Sequence, residues 1–316
     1  MLLGSPLTEL LLLAGGVALL YAGAELLVKG AGDLALAVGL KASTVGVTVV
    51  AFATTAPELF VSLLGAITVS TDTGLGAIVG SNIANIGLVL GVSALIRPLD
   101  ISRTVFERHV PFMVLAALLL VGLGWDGRIG AVDGVLLLAV LVAFTVVVMR
   151  RVQQTQSSIS DAERAEMPDA RLRDAGLVVA GIVSLILGSQ WLVDGGQSLL
   201  SAAGFSDIFI GLTVLALGTS LPELAASVVA AIRGEAEFSV GNVVGSNIYN
   251  VLAVIGVVAI ITPISVAPSV RGFEFPALLA FTALLVGLMY RGDRISRVDG
   301  GVLVLGYLAF IYLLLP

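Results

Sequence analysis

The chain has 316 residues, 58% of them hydrophobic and only 12% charged, with a mean hydropathy of +1.09. No water-soluble globular domain has that balance, and repeated apolar stretches of bilayer length indicate an all-α polytopic membrane protein. Cysteine is absent, which excludes disulfides and thiolate ligands and leaves oxygen donors or the single histidine for any metal, a set that favours hard cations.

Ten apolar spans are expected, at 8–28, 43–70, 74–96, 109–124, 130–149, 174–194, 207–232, 238–262, 274–290 and 298–315. The first lacks the basic flank of a cleaved leader and should persist as a helix. The second carries Thr54-Thr55-Ala56-Pro57-Glu58, and the third carries Gly80-Ser81-Asn82-Ile83-Ala84-Asn85. A polar stretch at 151–173 then separates five spans (1–150) from five more (174–316), and is too short for a folded regulatory domain. In the second set the cassette returns as Thr219-Ser220-Leu221-Pro222-Glu223 and Gly245-Ser246-Asn247-Ile248-Tyr249-Asn250. The offset is 165 residues at Pro57/Pro222, Glu58/Glu223, Ser81/Ser246 and Asn85/Asn250. A constant offset across both segments is a duplication.

Loop charge gives an orientation. With the N-terminus outside, fourteen of the sixteen Lys and Arg residues fall on the cytoplasmic side, and only Arg128 and Arg271 face outward. Both termini are then extracellular, in a multi-pass protein of the cell membrane. An odd number of spans per repeat makes the second repeat enter with opposite polarity. Ten transmembrane helices as two inverted five-helix repeats is the architecture of secondary transporters, with the site at the midplane between repeats.

A carboxylate deep in a membrane segment is costly and functional by default, so Glu58 and Glu223 are expected to share one site. Thr54/Glu58, Thr219/Glu223, Ser81/Asn85 and Ser246/Asn250 are each four apart, which stacks two oxygens on one helix face. Taken singly, such hydroxyls usually bond only to the backbone or to a neighbouring helix. Pro57 and Pro222 each free a carbonyl one turn earlier, and the carbonyls of Ala51 and Ala216 are also able to turn inward. Free carbonyls at membrane depth must line a cavity or be buried in protein. Together these groups form an oxygen cage suited to Na⁺ or Ca²⁺.

These two cassettes resemble the repeats of the sodium/calcium exchanger family, within the calcium/cation antiporter superfamily. The resemblance runs the length of the chain. It implies Ca²⁺/Na⁺ exchange by alternating access, with transported ions and no cofactor. It also implies a ligand set of Glu58, Glu223, Thr54, Thr55, Ser81, Asn85, Thr219, Ser220, Ser246 and Asn250, with the carbonyls of Ala51 and Ala216. The family usually has aspartate where Asn250 stands. Two carboxylates balance one Ca²⁺ or two Na⁺, and a third Na⁺ would leave excess positive charge in a low-dielectric site, so the stoichiometry should depart from three-for-one.

Ca²⁺/H⁺ exchange is the alternative, since buried glutamates can trade cations for protons. Other divalent ions remain open as substrates. An enzyme is not expected: His109 beside Arg108 reads as an interfacial residue, and Asp33, Asp126, Asp133, Asp194 and Asp299 fall near span ends. Nucleic acid is not an expected partner; lipid is, and a monomer is compatible with the pattern.

Overall fold

The computed structural model describes residues 6–37, 39–40, 42–55, 58–59, 71–158, 172–204 and 218–314. Among them ten helices succeed one another: α1 (Pro6–Ala37), α2 (Gly46–Thr55), α3 (Gly74–Ile96), α4 (Val105–Asp126), α5 (Ala131–Ser158), α6 (Leu172–Ala202), α7 (Leu221–Arg233), α8 (Ala236–Ile261), α9 (Val270–Arg291) and α10 (Arg297–Leu314). Eight are long and apolar enough to cross a membrane; α2 and α7 are shorter. These two lie in the expected spans 43–70 and 207–232, whose residues 56–57, 60–70 and 207–217 fall outside the described set. The chain is thus a mostly helical, multi-pass membrane protein.

Burial ranks the helices. In α3 and α8 the most apolar windows are 72% and 78% buried, against 22–44% in the other spans. The two inner helices are those that carry Ser81/Asn85 and Ser246/Asn250. The remaining spans turn large apolar side chains outward, as a lipid-facing surface requires.

Two short antiparallel ribbons join the halves. Strand β1 (Leu99–Asp100), after α3, pairs with β4 (Arg294–Ile295), before α10; β2 (Arg128–Ile129), before α5, pairs with β3 (Ile264–Ser265), after α8. The pairing is reciprocal: β1 and β3 hold the same place in their halves, as do β2 and β4. Helix α4, of 22 residues, runs between β1 and β2, which separates the ribbons by about 33 Å at 1.5 Å per residue. Helix packing repeats the exchange. A Cβ on Gly134 would lie 2.6 Å from the Gly256 carbonyl oxygen, and one on Gly300 would lie 2.7 Å from that of Gly91. Only glycine permits either crossing, α5 on α8 or α10 on α3.

Several boundaries differ from the expected ones. Helix α1 continues nine residues past position 28, because Glu25 is paired with Arg233 at the end of α7 and Ala31 and Ala35 are buried. Helix α5 extends into the expected linker as far as Ser158. Asp133 and Asp299 are not merely solvated ends. Asp133 accepts from the Gly130 amide at 2.8 Å, while Asp299, only 5% exposed, accepts from the Ser296 amide at 2.8 Å and also pairs with Arg291. The Asp299 amide in turn donates to Ser296 Oγ at 3.2 Å, so the two residues close a reciprocal cap on α10. The ring of His109, near the start of α4, is turned into the protein. It is 4% exposed and stands edge-on to Phe144, with ring centroids 6.0 Å apart.

Candidate cation site

Four elements supply the site: α2 with the residues just after it, α3, α7 with the residues just before it, and α8. Pro222 sits in the first turn of α7, where its missing amide costs nothing and its fixed φ suits helix initiation. Glu223 follows, fully buried at 0% exposure, and Glu58 is 3% exposed. At α3 and α8 the chain switches to a wider, π-helical turn at Asn85–Leu90 and Asn250–Ile255. Such turns are frequent at functional positions; these two begin on cassette asparagines, and others lie at Gly46–Val50, Val105–His109 and Val270–Glu274.

The cassettes meet. Ser81 and Ser220, 139 residues apart in sequence, bring their hydroxyls to 3.1 Å. Asn250 Nδ2 donates to Asn82 Oδ1 at 3.0 Å and, more weakly, to Ser81 Oγ at 3.4 Å. Thr54 and Ser246 lie beside the Glu223 carboxylate, and Glu58 is near enough to Glu223 for their charges to repel. Thr54 Oγ1 donates to the Val50 carbonyl at 3.1 Å and approaches that of Ala51 at 3.4 Å. Ala51 is buried at the crossing with α8, where a Cβ on Gly245 would lie 2.5 Å from both Ala51 Cβ and the Val47 carbonyl oxygen.

What these groups lack is partners. Thr55 Oγ1, both oxygens of Glu58, Asn85 Oδ1, both oxygens of Glu223, Ser246 Oγ and Asn250 Oδ1 are buried without a hydrogen bond among the described residues. Buried polar atoms are normally satisfied, and each exception needs a reason. Eight unsatisfied oxygens on one pair of repeated motifs, two pairs of them carboxylate, form a donor set for a hard cation. Among the described residues no group of three or more His, Cys, Asp or Glu side chains converges, so carboxylate, amide and hydroxyl must act together.

Not every expected ligand joins this set. Thr219 is only half-buried, and Ala216 and Pro57 lie outside the described residues. Conversely, Asn82 was not among the expected ligands, yet it fixes the Asn250 amide so that Oδ1 is the free atom. Its place in the Gly-Ser-Asn motif was the available signal.

The sequence model of the family described as "Sodium/calcium exchanger protein" matches residues 8–150 and 174–315. The chain belongs to that family. Like other members of the sodium/calcium exchanger family it is a transporter of the antiporter type. It is 33% identical over 292 residues to the inner membrane protein YrbG of Escherichia coli K12, covering 88% of this chain and 89% of that one. It is 27% identical over 341 residues to the sodium/calcium exchanger MaX1 of Methanosarcina acetivorans, covering 96% and 97%. The solved structure of the sodium-calcium exchanger NCX_Mj superposes with a TM-score of 0.84 at 27% identity, over 98% of this chain and 100% of that one.

Proposed function

We propose that this exchanger moves Ca²⁺ against Na⁺ across the cell membrane by alternating access. The site consists of Glu58, Glu223, Thr54, Thr55, Ser81, Asn85, Thr219, Ser220, Ser246 and Asn250, with the Ala51 and Ala216 carbonyls. The observation that carries the reading is the convergence of unsatisfied buried oxygens on the two cassettes, two carboxylates among them. A cation satisfies all of them at once, and the names of MaX1 and NCX_Mj point to sodium and calcium as the pair.

Residues 1–150 and 174–316 form two five-helix repeats of opposite polarity joined by 151–173. The reciprocal ribbons support this, since β1 and β3 hold equivalent places yet sit at opposite ends of α4. The Lys and Arg excess puts both termini outside. The end of the molecule carrying β1 and β4 then faces the cytoplasm, and the end carrying β2 and β3 faces outward.

One test is ⁴⁵Ca²⁺ uptake by proteoliposomes under an outward Na⁺ gradient, compared with uptake under a pH gradient alone. Uptake driven by Na⁺ and not by pH is expected. Uptake driven only by the pH gradient would establish the second reading, Ca²⁺/H⁺ exchange. That reading draws its support from Asn250, which leaves two carboxylates to trade charge with two protons.

A further inference from the structure

Helices α7 and α8 form an antiparallel hairpin closed at Gly234, whose amide bonds back to the Ala231 carbonyl while that of Glu235 bonds to Ala230. Asn242 Nδ2 donates to Ser227 Oγ across the hairpin at 3.1 Å. That contact sets the register: Glu223 faces Ser246, Ser227 faces Asn242, Ala230 faces Ser239, and the turn brings Gly234 to Glu235. On α8 the spacing of Ser239, Asn242, Ser246 and Asn250 keeps all four on one face. A polar seam therefore runs from Glu223 for about 16 Å (eleven residues from Ser246 to Glu235) to the hairpin turn.

Ser227, Ser239 and Asn242 are each 0% exposed, and neither Ser239 Oγ nor Asn242 Oδ1 has a hydrogen-bond partner among the described residues. A helix pair needing only packing has no use for such groups, since each unsatisfied one carries its full desolvation cost. The duplication accounts for Ser227, which Ser62 matches at the same offset, but not for the α8 side of the seam. The positions matching Ser239 and Asn242 are Gly74, half-buried, and Ala77, exposed. At the turn, Glu235 and Asp33 are half-buried and interact with each other and with Glu25.

We infer that Ser227, Ser239 and Asn242 form a second cation station, on the path between the Glu58/Glu223 site and the Glu235 end of the hairpin. Its ligand is a monovalent cation that keeps part of its water. Three neutral oxygens with no carboxylate are a poor match for Ca²⁺, which takes six to eight oxygens including carboxylates. At the mouth the carboxylates of Glu235 and Asp33 attract cations, while Glu25 is paired with Arg233 and the Arg97 guanidinium packs against Gly234. The station serves one side of the membrane only, because the first repeat has glycine and alanine in place of Ser239 and Asn242. The inference rests on the proposed Na⁺/Ca²⁺ exchange for the identity of the monovalent ion.

Two measurements test it. Asn242→Ala and Ser239→Ala are reconstituted in a known orientation, and Na⁺ is titrated from each side, with Ca²⁺/Ca²⁺ exchange as a control that needs no Na⁺. The half-saturating Na⁺ concentration is expected to rise about fivefold from the Glu235 side, as for one lost polar ligand, with the other side and the control unchanged. Equal values on both sides, raised or not, overturn the inference. The second measurement requires no transport. The chain has no cysteine, so Ser239→Cys provides a single thiol for a membrane-impermeant reagent. Reaction from the Glu235 side, slowed by Na⁺ more than by Ca²⁺, is expected. A thiol inert from both sides, or one that Na⁺ does not protect, makes the seam a dry helix contact whatever ion drives exchange.

Discussion

The hydroxyls of Ser81 and Ser220 meet at 3.1 Å, one from each repeat and each nearly fully buried. Ser81 also receives the long contact from Asn250, so α3, α8 and the start of α7 are tied at one point. Removal of either hydroxyl leaves the other buried without that partner, at about 1–3 kcal/mol. Ser81→Ala and Ser220→Ala should therefore be non-additive: the double variant should be less damaged than the sum of the singles, by about 0.5 kcal/mol or more. Thermal unfolding in detergent measures this, and strict additivity would mean that the contact is energetically silent.

Glu58→Gln and Glu223→Gln each remove half of the charge available to a divalent ion. A buried ion that loses one charged partner loses about 3–5 kcal/mol. Each variant should weaken the half-saturation of Ca²⁺/Ca²⁺ exchange by at least about a hundredfold. Normal exchange by both variants would remove these residues from the site.

Charge balance gives a sharper outcome. With Asn at both 85 and 250, only Glu58 and Glu223 carry charge among the cassette side chains, and two Na⁺ or one Ca²⁺ neutralise them. Exchange by the wild type should be indifferent to a clamped membrane potential. Asn250→Asp supplies a third carboxylate, and its flux should become potential-dependent with about one charge moved per cycle, each charge being worth about 2.3 kcal/mol per 100 mV. A current of one charge per cycle from the wild type would refute two-for-one exchange.

Much of the arrangement of the candidate site is legible in the sequence. A fixed offset of 165 residues identified Glu58 and Glu223 as equivalents, and i, i+4 spacing placed Thr54, Ser81, Asn85, Ser246 and Asn250 on common faces. The π-helical turns at Asn85 and Asn250 were not legible, because a widened turn leaves no mark in composition or period. The inward turn of His109 against Phe144 is not legible either, because a charged neighbour such as Arg108 does not say which way the helix face is rotated. The seam of Ser227, Ser239 and Asn242 is hard to read in sequence because Ser239 and Asn242 are positions at which the repeats differ, so the duplication does not point to them.

Glu235 gives the seam a pH dependence. Burial is the main cause holding its carboxyl above the ordinary value; Arg233 opposes this, neighbouring Asp33 and Glu25 add to it, and Arg97 packs at the same turn against Gly234. A raised carboxyl is protonated sooner as pH falls, so the mouth loses its charge at a higher pH than a free glutamate would. For stability the sign is that folding favours the neutral form, a contribution present at low pH and lost as pH rises through the folded value. Na⁺ half-saturation from the Glu235 side should rise on acidification, with little change from the other side. Glu235→Gln should flatten that profile and hold it at the weaker value. An unchanged slope in Glu235→Gln would exclude this carboxyl as the source.

At Gly245 a methyl group would meet Ala51 Cβ and the Val47 carbonyl oxygen at 2.5 Å. Backbone, not the far end of a flexible side chain, stands in the way. Gly245→Ala forces α2 and α8 apart and should cost about 1–3 kcal/mol, read as a lower melting temperature in detergent. Because the crossing holds Ala51 beside the cassettes, the variant should also exchange more slowly than the wild type. An unshifted melting temperature would show that α2 and α8 do not cross this closely.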